Sequence, residues 1–326
     1  MEITLINLPS EILELIFAYA TRKDVKNLAL TCHRYRQRLI SYIMRQLHVT
    51  WTQILELQSL KSEVGPDLLA RFCCELIHIT TPDAYNEYQQ NTFGELLNAE
   101  TFPNLKAVAI TSASLSHWLK YNKCTHIRSL NLINAQVTQS RKTFCLSHLD
   151  NFTYLHVLTL HKFHFDWNAE EMPSTAISEL NLHDCTWQYP FNLALFNLQD
   201  SLRTLAITYS HNNSFVLQER FIEFLKAPFP GHLASLRRLS IGFDKYTENK
   251  KLLTLTILAT LIETFSNLHH LHLYGWYTTE AYVKVILANF TFNFPIDVDV
   301  DIERQNQHNE LKHHVIRWKR RLYDMR

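Results

Sequence analysis

Two spacings of apolar residues divide the chain. Over roughly the first fifty residues they recur every three or four positions, the period of one helix face, in three short runs. The first run carries Ile12, Leu13, Ile16 and Phe17. Pro9 stands in its opening turn, where a missing N–H costs nothing, and Glu11 suits the positive helix end. After the polar break Thr21-Arg22-Lys23, Asp24 is placed to cap a second run with Val25, Leu28, Ala29 and Leu30. A third run carries Tyr35, Leu39, Ile43 and Leu47 at steps of four. Three such helices bury little area among themselves. A module of about 45 residues is marginal alone, so some of its apolar positions are expected to meet another polypeptide.

From about residue 100 the pattern becomes apolar-x-x-apolar-x-apolar. Its instances are Leu105/Val108/Ile110, Ile127/Leu130/Leu132, Leu155/Leu158/Leu160, Ile177/Leu180/Leu182, Leu202/Leu205/Ile207, Leu236/Leu239/Ile241 and Leu268/Leu271/Leu273. Subtracting their first positions gives steps of 22, 28, 22, 25, 34 and 32 residues, close to the range of a repeat that contributes one strand per unit. One unit cannot bury its own apolar row, whereas several stacked units can. The intervening residues then return along the convex side. Candidate return helices are 117–122, 216–226 and 252–265. A further strand is expected at Cys74/Ile77/Ile79 and a terminal one at Ile296/Val298/Val300/Ile302.

Composition narrows the function classes. Of 326 residues, 46% are apolar and 19% charged, which describes a globular chain, and no stretch approaches the roughly 18 to 20 apolar residues of a membrane span. A net charge of +1 gives no global pull towards nucleic acid or an anionic membrane. The opening MEITLINLPSEIL lacks the basic and apolar regions of a secretory signal, and the six cysteines form no C-x-x-C pair. An intracellular protein of the cytoplasm or nucleus with reduced thiols is expected. Only 5 glycines occur, leaving little material for phosphate-cradling loops. None of G-x-x-x-x-G-K-[ST], G-x-G-x-x-G, H-E-x-x-H or G-x-S-x-G is present, so neither a catalytic centre nor a cofactor is expected.

The leading segment resembles an F-box. The family pattern is met by Leu8-Pro9, Glu11-Ile12-Leu13, Ile16-Phe17, Asp24, Leu28-Ala29, Cys32, Arg34, Tyr35 and the closing aromatic Trp51. The repeating body resembles the leucine-rich repeats that commonly follow an F-box. These resemblances imply an α/β fold: a three-helix F-box over 1–51, a helical linker with a first irregular repeat over 52–100, and a leucine-rich-repeat solenoid over 101–303, with parallel strands on its concave face. A basic C-terminal helix or cap is expected over 304–326. They also imply a non-catalytic substrate receptor of an SCF-type cullin-RING ubiquitin ligase. By motif match, Leu8, Pro9, Ile12, Leu13, Ile16 and Leu28 would dock the Skp-type adaptor. The alternative is an adaptor-bound scaffold, in chromosome organisation or trafficking, without ubiquitin transfer.

In such a solenoid the residues between the inward apolar ones line the concave face. That register gives Asn131, Thr159, His161, Asn181, His183, Thr208, Arg238, Ser240, His270, His272 and Tyr274 as candidates for holding a protein target, and the rim adds Trp187, Phe243, Trp276 and Tyr277. If the last strand lies beside the Leu268 strand, Asp297, Asp299 and Asp301 join His270 and His272 in a patch whose carboxylates would favour charged imidazoles. No metal is expected there, since no helical His-x-x-x-His spacing supports one. The tail from Lys312 to Arg326 sets six basic residues against Asp324, with Val315, Ile316, Trp318 and Leu322 interleaved. That spacing predicts an amphipathic basic helix, read first as a cap on the last repeat. Neither a membrane nor nucleic acid is an expected partner.

Overall fold

A computed structural model describes residues 8–31, 33–50, 52–53, 74–80, 97, 102–112, 125–135, 143–144, 146–165, 175–187, 201–209, 235–243, 261, 267–274, 297–305 and 311–319. Three helices open the chain: α1 (Ser10–Tyr19), α2 (Arg22–Thr31) and α3 (His33–Met44). Pro9 is the N-cap of α1 rather than a residue of its first turn, and its carbonyl accepts from the Leu13 N–H. Helix α2 starts from a reciprocal cap. The Thr21 hydroxyl accepts from the Asp24 N–H at 3.2 Å, and the Asp24 carboxylate accepts from the Thr21 N–H at 3.0 Å. Asp24 therefore caps from inside the first turn. Leu13, Phe17, Val25, Ala29 and Leu39 form the helical core. Tyr42 leans on Phe17, ring to ring at 5.6 Å, and donates its hydroxyl to the Phe17 carbonyl at 2.7 Å, tying α3 to α1.

After Arg45 the chain enters β1 (Gln46–Thr50), so Leu47 belongs to a strand and not to the third helix as its spacing suggests. The sheet thus begins well before residue 101. It continues through β2 (Leu76–Thr80), β3 (Ala107–Ser112) and β4 (Ser129–Asn134). Next come the two-residue β5 (Thr143–Phe144), then β6 (Val157–His161), β7 (His164–Phe165), β8 (Glu179–His183), β9 (Thr186–Trp187), β10 (Thr204–Tyr209), β11 (Arg238–Phe243), β12 (His270–Tyr274), β13 (Asp297–Gln305) and β14 (Leu311–Lys319). The main sheet has the order β1-β2-β3-β4-β6-β8-β10-β11-β12-β13-β14, while β5, β7 and β9 form a small sheet of their own. Every neighbouring pair from β1 to β13 is parallel, as a chain that returns between strands requires.

Register explains the six-residue pattern. Leu130 lies between Val108 and Leu158, and Leu132 between Ile110 and Leu160, so the repeated apolar positions form continuous inward rows from Ile77 to Leu271. They are essentially inaccessible to solvent, each such side chain contributing about 2 to 3 kcal/mol of burial. The carbonyl just before each strand accepts two N–H groups from the next repeat. Lys106 O takes those of Arg128 and Ser129 at 2.8 and 3.0 Å, and Arg128 O those of His156 and Val157 at 2.8 and 3.0 Å. This doubled acceptance fixes the repeats in step and sets the residues leading each strand in a single column.

At the opposite strand ends Lys162 and Asp184 adopt left-handed backbone, with φ of 63° and 53°. Their N–H groups bond the His183 and Thr208 carbonyls at 2.8 Å, turning the chain off the main sheet towards β7 and β9. Asn134 and Cys185 support the same turns from within, donating to the carbonyls of Lys162 and Leu160. Cys74 and Cys185 are buried, small residues of the core.

Two further expectations fail. Leu311–Lys319 is a strand, β14, antiparallel to β13, not a helix. Its interleaved apolar and basic residues fit either period, and an unpaired β13 edge next door decides for the strand. Phe243, placed on the rim by the sequence, is buried to 2% exposure. The candidate return helices 117–122 and 216–226 lie outside the described residues, and of 252–265 only Leu261 is described, helical and buried.

Candidate functional site

Helix α1 is apolar on two faces. Leu13 and Phe17, four apart, enter the helical core at 9% and 5% exposure, whereas Ile12, Leu15, Ile16 and Tyr19 lie outside it at 42%, 61%, 38% and 92%. The spacing i, i+3, i+4, i+7 puts these four on one stripe. Leu30 of α2 is also exposed, at 71%. Of the six positions carried over by motif, Ile12 and Ile16 are free surface and Pro9 is exposed. Leu8 and Leu28 are half-buried against the core, and Leu13 is a core residue with little left to offer a partner. Leu15, Tyr19 and Leu30 are also exposed, though the motif does not single them out. The signal was available: SEILELIFAY is too apolar for one buried stripe to account for.

The sheet face expected to be concave is laid out in rows by the register. One row places Asn131, Thr159, Asn181, Ser240 and His272 in line, with Ala206 between Asn181 and Ser240. Asn181 donates to Thr159 Oγ1 at 3.2 Å and to Glu179 at 2.9 Å, and Ser240 meets His272 Nδ1 at 3.3 Å. Asn131 Oδ1 is buried and has no hydrogen-bond partner among the described residues. The next row carries His161, His183, Thr208, Gly242 and Tyr274. His161 and His183 stack face to face, 4.3 Å apart and 7° from parallel. Burial, reinforced by the neighbouring His183, lowers the His161 pKa to about 4, so His161 is neutral at pH 7. Arg238 and His270 are register partners at the strand start, with Arg238 exposed.

The expected neighbourhood of the last strands is present in register. His270 pairs with Asp297 and His272 with Asp299. Strand β14 then sets Lys319 opposite Asp297 and Arg317 opposite Asp299, so two aspartates stand between two histidines and two cations. Asp301 pairs with Val315. Trp276 and Tyr277 lie outside the described residues.

Residues 5–49 match the F-box-like family. No curated protein matches the sequence. Among solved structures, an internalin from Listeria monocytogenes is similar over 81% of this chain and 84% of its own, at 11% identity. Its TM-score is 0.24, too low to carry an inference about fold or partner. The solenoid rests instead on the molecule's own repeated parallel strands and their aligned apolar rows. Residues 5–49 therefore match the F-box-like family, and the chain that follows builds a solenoid of repeated parallel strands.

Proposed function

We propose that this chain is a substrate-recognition subunit of an SCF-type ubiquitin ligase, its helices docking a Skp-type adaptor and its concave face holding a protein target inside the cell. The observation that carries the reading is the second apolar stripe of α1. A small helical module with its own closed core still exposes Ile12, Leu15, Ile16 and Tyr19, within a segment that matches the F-box-like family. Such a stripe is unfavourable in water and favourable against a partner. The solenoid supplies a long concave surface whose rows combine hydrogen-bonding side chains with the stacked imidazoles. Catalysis is then positional: a captured protein is held near the ubiquitin-loaded end of the complex, raising the effective concentration of its lysines.

The test is a pull-down of purified Skp-type adaptor with the full chain. Ile12→Asp combined with Ile16→Asp alters exposed positions, so it is expected to leave the helices folded and abolish capture. Leu13→Ala acts differently, costing about 2 to 4 kcal/mol through a core cavity. Undiminished capture by the double variant refutes the docking assignment. Adding the rest of a cullin-RING ligase and asking whether solenoid-bound proteins become ubiquitinated separates a receptor from an adaptor-bound scaffold.

A further inference from the structure

The column of residues that leads each strand is strongly biased in charge. From β3 to β12 it runs through Lys106, Arg128, His156, Arg203, Arg237 and His269, interrupted only by Ser178. The carbonyls of successive members accept the paired N–H groups of the next repeat, so the column is as regular as the sheet and advances about 4.8 Å per repeat. Lys106, Arg128, His156, Arg203 and His269 are exposed. In a chain of net charge +1, one rim collects the cations Lys106, Arg128, Arg203 and Arg237. Its acidic balance lies at the β2 end, where Glu75 pairs with Arg45 at 2.9 Å and holds Lys106 loosely at 3.9 Å.

At the start of the column the rim opens into a cleft of about 320 Å³ lined by Pro103, Asn104, Lys106, His126, Arg128 and Tyr154. Its cations are Lys106 and Arg128, and Arg128 has no ion-pair partner among the described residues. Tyr154 is 63% exposed at its mouth. The Nε2 of His126 is buried without a hydrogen-bond partner among the described residues, and burial lowers that group's pKa, so charge in the cleft comes from the lysine and arginine. A guanidinium and an ammonium beside an exposed phenol form a receptor for an anionic side chain.

We propose that this rim is a second docking surface, binding an acidic polypeptide segment that lies along the strand-leading column and places a carboxylate or phosphorylated side chain in the Lys106–Arg128 cleft. The partner is a polypeptide because the charges stand in single file, no more than one per repeat. Duplex nucleic acid calls for a broad basic face, and single strands call for aromatic platforms at successive bases. The inference rests on reading the solenoid as a protein-binding body. It is independent of the adaptor stripe on α1, so either can fail alone.

The test measures binding of the full chain to fluorescein-labelled peptides by anisotropy. The probes are oligo-glutamate, a phosphoserine peptide with otherwise neutral residues, oligo-glutamine of equal length, and oligo-thymidylate. One or both anionic peptides are expected to bind, more weakly as salt rises, with oligo-glutamine silent. The better of the two identifies the anion as carboxylate or phosphate. Lys106→Glu combined with Arg128→Glu is expected to weaken binding by roughly tenfold or more, as reversal of two exposed rim charges does. Lys106→Gln with Arg128→Gln guards against misfolding of the reversed variant and is expected to fall between it and the wild type, while Lys23→Gln on α2 leaves peptide affinity unchanged. Tighter binding of oligo-thymidylate than of either peptide, binding of neither peptide, or binding indifferent to both double variants overturns the proposal. Adaptor capture by the same double variants reports on the α1 stripe separately.

Discussion

The Tyr274 hydroxyl hydrogen-bonds that of Thr208 across an intervening strand, with Gly242 between them in register. The phenol ring lies where a side chain on Gly242 would stand. A Cβ there would meet the Tyr274 carbonyl oxygen, and the ring carbons at 2.6 and 2.7 Å. Gly242→Ala must therefore push Tyr274 off the sheet, at an expected cost of about 2 to 3 kcal/mol. Tyr274→Phe removes only the hydrogen bond, about 1 kcal/mol. Urea unfolding of both variants checks the ordering, and an alanine variant as stable as the phenylalanine one contradicts the contact.

Lys162 and Asp184 hold equivalent left-handed turns, but their side chains tolerate that conformation unequally. A lysine pays the full crowding of Cβ against its carbonyl, whereas aspartate is among the residues that visit the region most readily. Lys162→Gly is therefore expected to stabilise the fold by about 0.5 to 1 kcal/mol after the extra freedom glycine gives the unfolded chain, and Asp184→Gly to change little. Thermal unfolding midpoints decide: equal shifts for both variants rule out relief of backbone strain as the cause.

The solenoid was legible in the sequence because each repeat must hide the same three positions. Leu130, Leu158 and Leu180 could be aligned from spacing alone, and the register stacks them side by side. Concave candidates such as His161 and His183 followed from alternation, but their stacking did not, since it depends on two repeats 22 residues apart being exactly in step. The cationic rim was harder still. Lys106, Arg128 and Arg203 share no local period and align only once each strand start is known. Strand β1 hid inside a helical spacing because Leu47 fits both periods, and β14 hid for the same reason at the other end.

The stacked pair gives the fold a dependence on acid. Burial first, and then electrostatic interaction with His183 and Lys162, lower the His161 pKa from 6.5 to about 4, with Asp184 opposing. A depressed imidazole pKa means the folded state binds fewer protons than the unfolded chain. Its contribution to stability is complete above pH 6.5 and is lost progressively between 6.5 and about 4. Allowing for partial exposure, the loss is about 1 to 2 kcal/mol. His161→Asn is expected to flatten the stability profile across that window, measured by urea unfolding at stepped pH. A variant whose decline matches the wild type places the acid sensitivity elsewhere.

Strand β14 covers what would otherwise be the open edge of the sheet, pairing with β13 from Asp297↔Lys319 to Gln305↔Leu311. A chain ending at residue 305 would leave the β13 backbone groups free to pair with another molecule. Along β13, however, Asp297, Asp299 and Asp301 alternate with Val298, Val300 and Ile302, and repeated like charges oppose pairing between two such edges while they remain ionised. The truncated protein is therefore expected to stay monomeric at pH 7 and to self-associate in acid, where carboxylates take up protons. The full chain keeps its edge covered and shares the His161 destabilisation equally with the truncated one, so the difference between them isolates the edge. Light scattering across the titration is the measurement. Association of the truncated chain already at pH 7 removes the protective role of the aspartates, and coincident curves for the two chains remove the role of β14 itself.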